Sequence, residues 1–132
     1  MLFKMKLYHG SPKKLKIIMP KQAKGINKFE NQKAVFLCKT FNHAALYAIG
    51  KSLKGKASFG IIPKKLMIIG NLKPNSRGYV FEVNVNAKKG PRGQYSYNKQ
   101  IRKFKIYKVN IKDYQKYITY FKTKEEIMRK LK

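Results

Sequence analysis

The sequence predicts a single α+β domain over residues 1–132, built mostly from antiparallel strands with a few short helices. Tyr79 to Val85 places four apolar side chains on one face, as a strand against a core does. Ala34 to Cys38 is an apolar run of strand length, and an alanine-rich segment of helical length follows it. A chain of 132 residues can bury about two-thirds of its unfolded surface, which is enough for one core.

Turn residues and helix caps predict the other elements. Gly10-Ser11-Pro12 ends a first strand, and in the lysine-rich stretch of residues 13–32 we expect a loop after the short apolar piece that Pro20 closes. Thr40 or Asn42 can cap the helix after Cys38, with its end near Gly50 or Gly55. The further strands expected are Leu2 to Tyr8, Ser58 to Ile62, Leu66 to Ile69 and Phe104 to Ile111.

Two segments late in the chain have distinct signals. Asn86 to Gln100 predicts a long loop with Gly90-Pro91-Arg92-Gly93, and loops of this length in small domains are often functional. Thr123 and Glu126 have the spacing of a capping box, which predicts a terminal helix.

The net charge of +27 indicates a polyanionic partner, because 32 basic residues face only five acidic ones. Nucleic acid, an anionic membrane or a phosphate-rich ligand would fit the sign of this charge. The composition of the basic residues argues against a dedicated nucleic-acid-binding module, since 28 of these 32 residues are lysines. Recognition of phosphates and bases favours arginine. Diffuse lysine enrichment also arises from an AT-rich genome or a heat-loving source.

Cysteine and histidine are too few to predict a disulfide or a metal centre. Cys38 is alone, with only His9 and His43 besides, so we expect no internal disulfide and no zinc site. No apolar stretch reaches membrane-span length and the basic start lacks a signal core, so a cytoplasmic protein without membrane contact is expected. Secretion by another route stays open.

The motif Leu7-Tyr8-His9-Gly10-Ser11 carries the chemistry that the sequence suggests. A histidine leaving a strand beside a glycine can place an imidazole and backbone amides in one cleft. Phe36 lies on the next core strand, and Tyr47 follows it eleven residues later in the helix. This order resembles the ADP-ribosyltransferase superfamily, which includes the poly(ADP-ribose) polymerases and the rifampin-modifying transferases.

The resemblance implies a split, mostly antiparallel β-sheet and NAD as the substrate, bound by His9, Gly10, Ser11, Phe36 and Tyr47. In such enzymes the histidine hydrogen-bonds the adenosine ribose and the glycine contacts the nicotinamide amide. Phe36 departs from the family, which has tyrosine there, and could stack on nicotinamide without offering a hydroxyl. Both aromatics could equally be core residues.

Glu82 and Gln94 are the candidates for the family's catalytic acid, which stabilises the positive charge that develops on the ribose as nicotinamide leaves. Glu82 lies in the strand Tyr79 to Val85 on the face away from its apolar side chains, where a solvated carboxylate is the simpler interpretation. Gln94 lies where the late loop meets a new strand, the family's usual place, but it has no charge. The resemblance therefore implies either ADP-ribose transfer to a protein or nucleic-acid acceptor, or nucleotide binding alone.

Three alternatives remain. The related tRNA 2′-phosphotransferases have arginine before the motif histidine, where this chain has Tyr8, although Arg77, Arg92 or Arg102 could form a phosphate site. A non-catalytic nucleic-acid-binding protein would use lysines for phosphates and stack bases on tyrosines. A membrane-surface protein is disfavoured by the few apolar residues of the tail helix. The tyrosines considered for base stacking are Tyr95, Tyr97, Tyr114 and Tyr117.

Overall fold

Two β-sheets enclose one helix in the structure, a computed structural model that describes residues 4–23, 29 and 31–130. The elements are β1 (Met5–Ser11), β2 (Lys21–Gln22), β3 (Lys33–Cys38), α1 (Phe41–Gly50), β4 (Phe59–Ile62), β5 (Lys65–Ile69), β6 (Arg77–Val85), β7 (Lys88–Lys89), β8 (Gln94–Tyr97), β9 (Lys105–Asn110), β10 (Ile118–Phe121) and α2 (Lys124–Lys130), with 3-10 turns at Lys51–Leu53 and Ile111–Tyr117. The chain is thus a small α+β domain with mostly antiparallel strands, as predicted.

The larger sheet has the strand order β7-β8-β3-β1-β6-β9, with β2 added to β3, and its pairings are antiparallel. The smaller sheet has the order β10-β5-β4, in which β10 runs parallel to β5. β1 pairs with β6 along its whole length, from Met5 opposite Val85 to Ser11 opposite Tyr79. Over the described residues, β1 and β3 share only one residue pair, Tyr8 and Cys38. The ladder between β1 and β3 therefore stops where His9 begins.

Side chains on the two faces of the larger sheet form two separate cores. Cys38 and Val80 face α1 and the smaller sheet, where Leu66 and Ile68 complete the first core. Leu37, Phe81 and Val83 point the other way and form the second core with Ile18 and Ile101, whose backbones join in an isolated bridge. The predicted alternation of β6 is confirmed, and α1 is enclosed between the two sheets.

Most predicted elements are confirmed, and α1 is the clearest case. It starts after Thr40, whose hydroxyl accepts a hydrogen bond from the His43 amide at 3.3 Å, and it ends at Gly50. At α2, the Thr123 hydroxyl accepts from the Glu126 amide at 3.3 Å. The Glu126 carboxylate accepts from the Lys122 amide instead of closing the box on Thr123.

The structure differs from the predictions at strand ends and in the late loop. β1 runs through Ser11 because β6 pairs with it to that point, while Leu2 and Phe3 of the predicted strand lie outside the described residues. Segment 86–100 contains the hairpin of β7 and β8, turned by Arg92 and Gly93 at positive φ. The stretch after Pro20, predicted as a loop, contains β2, and its residues 24–28 and 30 also lie outside the described part. β10 was not among the predicted strands, although its four residues are of types that favour strands.

Within the described residues, no helix has the length and apolar character needed to cross a membrane.

Candidate functional site

His9 lies at the point where β1 and β3 separate, and its ring joins the two strands in place of a backbone hydrogen bond. Its Nδ1 is 2.9 Å from the Phe36 carbonyl oxygen. A carbonyl only accepts, so Nδ1 carries the proton and donates it. In a neutral ring the other nitrogen, Nε2, then has a lone pair to offer. Its partner must be a hydrogen-bond donor.

The surroundings of His9 keep its ring neutral. Burial, and then the positive charge of Lys51, lower its pKa from 6.5 to about 3, against the opposite effect of the bond to Phe36. The ring therefore cannot serve as a cation toward a phosphate at neutral pH. It serves as an acceptor fixed in orientation by β3, and a sugar hydroxyl is a donor of suitable size.

Gly10 is required by the approach of α1. A Cβ added at Gly10 would overlap the Ala44 carbonyl oxygen and approach the Ala48 amide nitrogen to 2.8 Å. At Gly78 an added Cβ would lie 2.8 Å from the Ala48 Cβ. These two glycines and the alanines of α1 let the helix backbone pack directly on β1 and β6. The helix then holds its C-terminal half beside the end of β1.

Tyr47 and Gln94 meet across the cleft from α1 to β8. The Gln94 side-chain amide donates a hydrogen bond to the Tyr47 hydroxyl at 2.5 Å. Gln94 is paired with Cys38, so it projects from the sheet on the same face as Cys38, toward α1. Tyr47 and Gln94 therefore lie together on the α1 side of the sheet, whereas His9 pairs with Phe81 of the second core, with 6.2 Å between their ring centres, at the point where β1 and β3 separate.

Lys51 is a cleft residue that sequence reasoning missed. It directly follows α1, four residues after Tyr47, and its ammonium lies 3.3 Å from the Gly10 carbonyl oxygen and 5.5 Å from the centre of the Tyr47 ring. Its side chain is half-buried, and burial lowers its pKa to about 8. The i, i+4 spacing from Tyr47 is the signal that could have selected it, but 27 other lysines obscure that signal.

Phe36 and Ser11 have partners within the chain. The half-buried Phe36 ring packs edge-on against Phe29 at 5.6 Å between ring centres, so part of its surface is covered. The Ser11 hydroxyl accepts a hydrogen bond from the Lys13 amide at 3.1 Å and so closes the turn after β1. Cys38, beneath them, is a buried thiol whose pKa burial raises to about 12.

Glu82 lies apart from this group. It is on β6, on the opposite side of β1 from β3 and β8, and three strand spacings, about 14 Å, separate β6 from β8. The Tyr107 hydroxyl donates to its carboxylate at 3.4 Å. Of the two candidate catalytic residues, the structure brings Gln94 to the cleft and leaves Glu82 on the β9 side of the sheet.

His43 is the other buried histidine, and it lies one helical turn before Tyr47. Its ring is 5.2 Å from the Tyr47 ring, and its Nε2 is buried without a hydrogen-bond partner among the described residues. Burial lowers its pKa to about 4. His43 is therefore a neutral core residue of α1.

A second surface depression of about 270 Å³ lies against the other core. It is open to solvent and does not include His9, Tyr47 or Lys51. Its lining residues are Asn84, Val85, Tyr97, Gln100, Ile101, Arg102 and Lys103. Within the described part of the chain, no three His, Cys, Asp or Glu side chains converge as metal ligands would.

Comparison with known proteins gives no match: no family model, curated protein or solved structure is similar to this chain. A function for this chain therefore has to be inferred from the geometry of the site.

Proposed function

We propose that this chain is an ADP-ribosyltransferase-like domain that binds NAD in the cleft between β1, β3, β8 and α1. The observation that supports this most is the hydrogen bond from His9 Nδ1 to the Phe36 carbonyl. It leaves Nε2 of a neutral ring as an acceptor, and the adenosine ribose of NAD carries the hydroxyl donors that this acceptor needs. The motif residues and the gap in the β1–β3 ladder agree with the sequence resemblance.

The aromatic residues of the proposed site suit the nicotinamide end of NAD. Tyr47 is held by Gln94 on one side and by the close packing of α1 on the other, so its ring is fixed before a ligand binds. Phe36 offers the part of its ring that Phe29 does not cover. Rings held in place in this way lose little entropy on binding a planar ligand.

The charges of the cleft favour nucleotide binding over transfer. A transferase needs negative charge where the ribose becomes positive, and here Gln94 offers an uncharged amide while Lys51 is a cation. Glu82, the carboxylate expected from the sequence, lies about 14 Å away across the sheet. We therefore propose that NAD is bound and that ADP-ribose transfer is slow or lost.

The test uses two substitutions of the same histidine. NAD at millimolar concentration should raise the melting temperature of the wild type, and His9→Ala should abolish the rise because both ring nitrogens are removed. His9→Asn keeps a side-chain N–H that can reach the Phe36 carbonyl but removes the Nε2 acceptor. It should melt close to the wild type without NAD and show no rise with NAD. A wild type that NAD does not stabilise, or a His9→Asn variant that NAD stabilises fully, would contradict the proposal.

A nucleic-acid-binding function is the second candidate, because the edge strand β9 combines exposed apolar side chains with lysines. Ile106 and Tyr107 are both 39% exposed, and Lys105 and Lys108 lie on the same strand. An exposed ring beside cations can stack on an unpaired base while the lysines contact phosphates. In this second candidate function, β9 would be the binding surface itself.

A further inference from the structure

Lys51 places a cation beside the Gly10 carbonyl and the Tyr47 ring, and no carboxylate of the described residues neutralises it. Its ammonium has three N–H donors, and the hydrogen bond found within the described residues goes to the Gly10 carbonyl oxygen, at 3.3 Å. The Tyr47 ring, 5.5 Å away, provides a further weak contact. A carbonyl and a ring face compensate only part of the solvation that a half-buried ammonium gives up.

The groups around Lys51 add positive charge to the cleft. Lys21 on β2 and Lys54 after the 3-10 turn both disfavour its protonated form, and His9 on β1 is neutral. Cys38 on β3 would favour the cation as a thiolate, but burial keeps it a neutral thiol with a pKa of about 12. Among the described residues, no carboxylate contributes to the electrostatics of Lys51. A bound anion would therefore supply a negative charge that the described side chains around the Lys51 ammonium do not.

We propose that Lys51 is the phosphate-binding residue of this cleft and that the ligand is a nucleotide with a phosphate or diphosphate group. The inference rests on the proposed function and refines it, since His9 Nε2 would accept from the sugar while Lys51 binds the adjoining phosphate. A lysine ammonium is a compact charge whose hydrogen bonds to phosphate oxygens are about twice as strong as neutral ones. Because Lys51 contacts the Gly10 carbonyl, sugar and phosphate sites lie on neighbouring residues of β1.

Binding at Lys51 does not require the nicotinamide group of NAD. The anion site recognises the phosphate, so ADP-ribose and ADP, which lack nicotinamide, should still bind, and their binding should still depend on Lys51. A cation at this place disfavours the positive charge that develops when the nicotinamide bond breaks. The site then acts as a receptor for phosphorylated nucleotides.

Isothermal titration of ADP-ribose against wild type, Lys51→Met and Lys54→Met tests the assignment. Methionine keeps most of the apolar stem and removes the charge, and Lys54 is an exposed lysine three residues away, so the two variants lose the same charge. At physiological salt, Lys51→Met should weaken binding about tenfold or more, and Lys54→Met should change it less than twofold. Equal affinities for the two variants would overturn the proposal, because general attraction to a +27 surface would then explain the binding.

Adding His9→Asn to this titration separates the two proposals. If His9→Asn weakens ADP-ribose binding but Lys51→Met does so no more than Lys54→Met, the phosphate assignment fails and the proposed function stands. If only Lys51→Met has an effect, the cleft is an anion site and the proposed function fails. A wild type that does not bind ADP-ribose overturns both.

A titration of the wild type provides a readout that does not depend on a variant's folding. In protein with isotope-labelled lysine, the Lys51 side-chain resonance should titrate near pH 8 without ligand. Because a bound phosphate favours the ammonium, ADP-ribose should raise this midpoint. A Lys51 midpoint that saturating ADP-ribose does not raise would contradict the proposal.

Discussion

The two ring nitrogens of His9 have different roles, one within the fold and one toward a ligand. Nδ1 replaces a strand-to-strand hydrogen bond at the end of the β1–β3 ladder, and this fixes which nitrogen is left for a ligand. Ser11 and Gly10, its neighbours in the motif, already act within the fold: the Ser11 hydroxyl closes a turn, and Gly10 admits α1. Two of the five motif residues thus have roles in packing or in a turn, although the motif as a whole resembles a ligand site.

The two buried histidines predict acid sensitivity. The folded protein holds His9 and His43 neutral, with pKa values lowered to about 3 and about 4, whereas in the unfolded chain both bind protons near pH 6.5. The unfolded state therefore binds more protons below pH 6.5, and the free energy of unfolding should fall as the pH drops from 6.5 toward 4. The slope from each histidine is at most about 1.4 kcal/mol per pH unit.

Urea unfolding at pH 7, 6, 5 and 4.5 measures this dependence. His9→Asn should flatten the curve by removing one of the two titrations. A stability that is constant over this range, or a His9→Asn curve as steep as that of the wild type, would contradict the assignment of neutral buried rings.

At the scale of elements, the docking of α1 sets the position of the cleft. Gly10 of β1 and Gly78 of β6 face Ala44 and Ala48, and this contact brings Tyr47 and Lys51 to the end of β1. The helix itself was predictable, because Thr40 caps it and alanines fill it. The strands that α1 packs against could not be predicted, because the local sequence does not show which strands will contact the alanine face of the helix.

Gly10→Ala tests this docking. Its Cβ would meet the backbone of α1, which cannot move without displacing the helix, so we expect a loss of about 3 kcal/mol in the free energy of unfolding and weaker NAD binding. Gly60→Ala on β4 is the matched control, since its Cβ would meet only the end of the Met67 side chain at 3.7 Å. Denaturant unfolding of both variants decides the matter. A Gly10→Ala protein as stable as Gly60→Ala would mean that α1 does not pack as described.

Sequence reasoning predicted local structure better than the site because caps, turns and alternation act between near neighbours. β3, α1 and β6 were predicted on such signals, and β10 was not, because its parallel pairing with β5 joins residues about fifty positions apart. The sequence candidates for catalysis, Glu82 and Gln94, came from different strands, and only the strand order shows that two strands lie between those of Glu82 and Gln94. Lys51 could not be singled out from 28 lysines until the fold placed it beside Gly10.

At the scale of the whole molecule, the charge of +27 sets a background of attraction to any polyanion. A nucleic-acid function therefore has to show discrimination as well as binding. If the surface is only a background, RNA and DNA of different sequence and structure should bind alike, and affinity should fall steeply between 50 and 200 mM salt. Fluorescence anisotropy with single-stranded and duplex oligonucleotides measures both properties.

Tyr107 provides the matched variant for that measurement. Tyr107→Ala removes an exposed ring of β9 and leaves every lysine in place, so a background interaction should not change. A preference for single strands that Tyr107→Ala reduces about tenfold would instead support base stacking on β9 and favour the second candidate function.

Binding of a nucleotide between His9 and Lys51 is tested most directly by nuclear magnetic resonance of the backbone amides during a titration with NAD. We expect saturable shifts centred on residues 9–11, 36–38, 47–51 and 94, with little change at the depression around Arg102 or along β9. An absence of shifts at millimolar NAD, or shifts spread over the lysine-rich surface without a centre in the cleft, would contradict it.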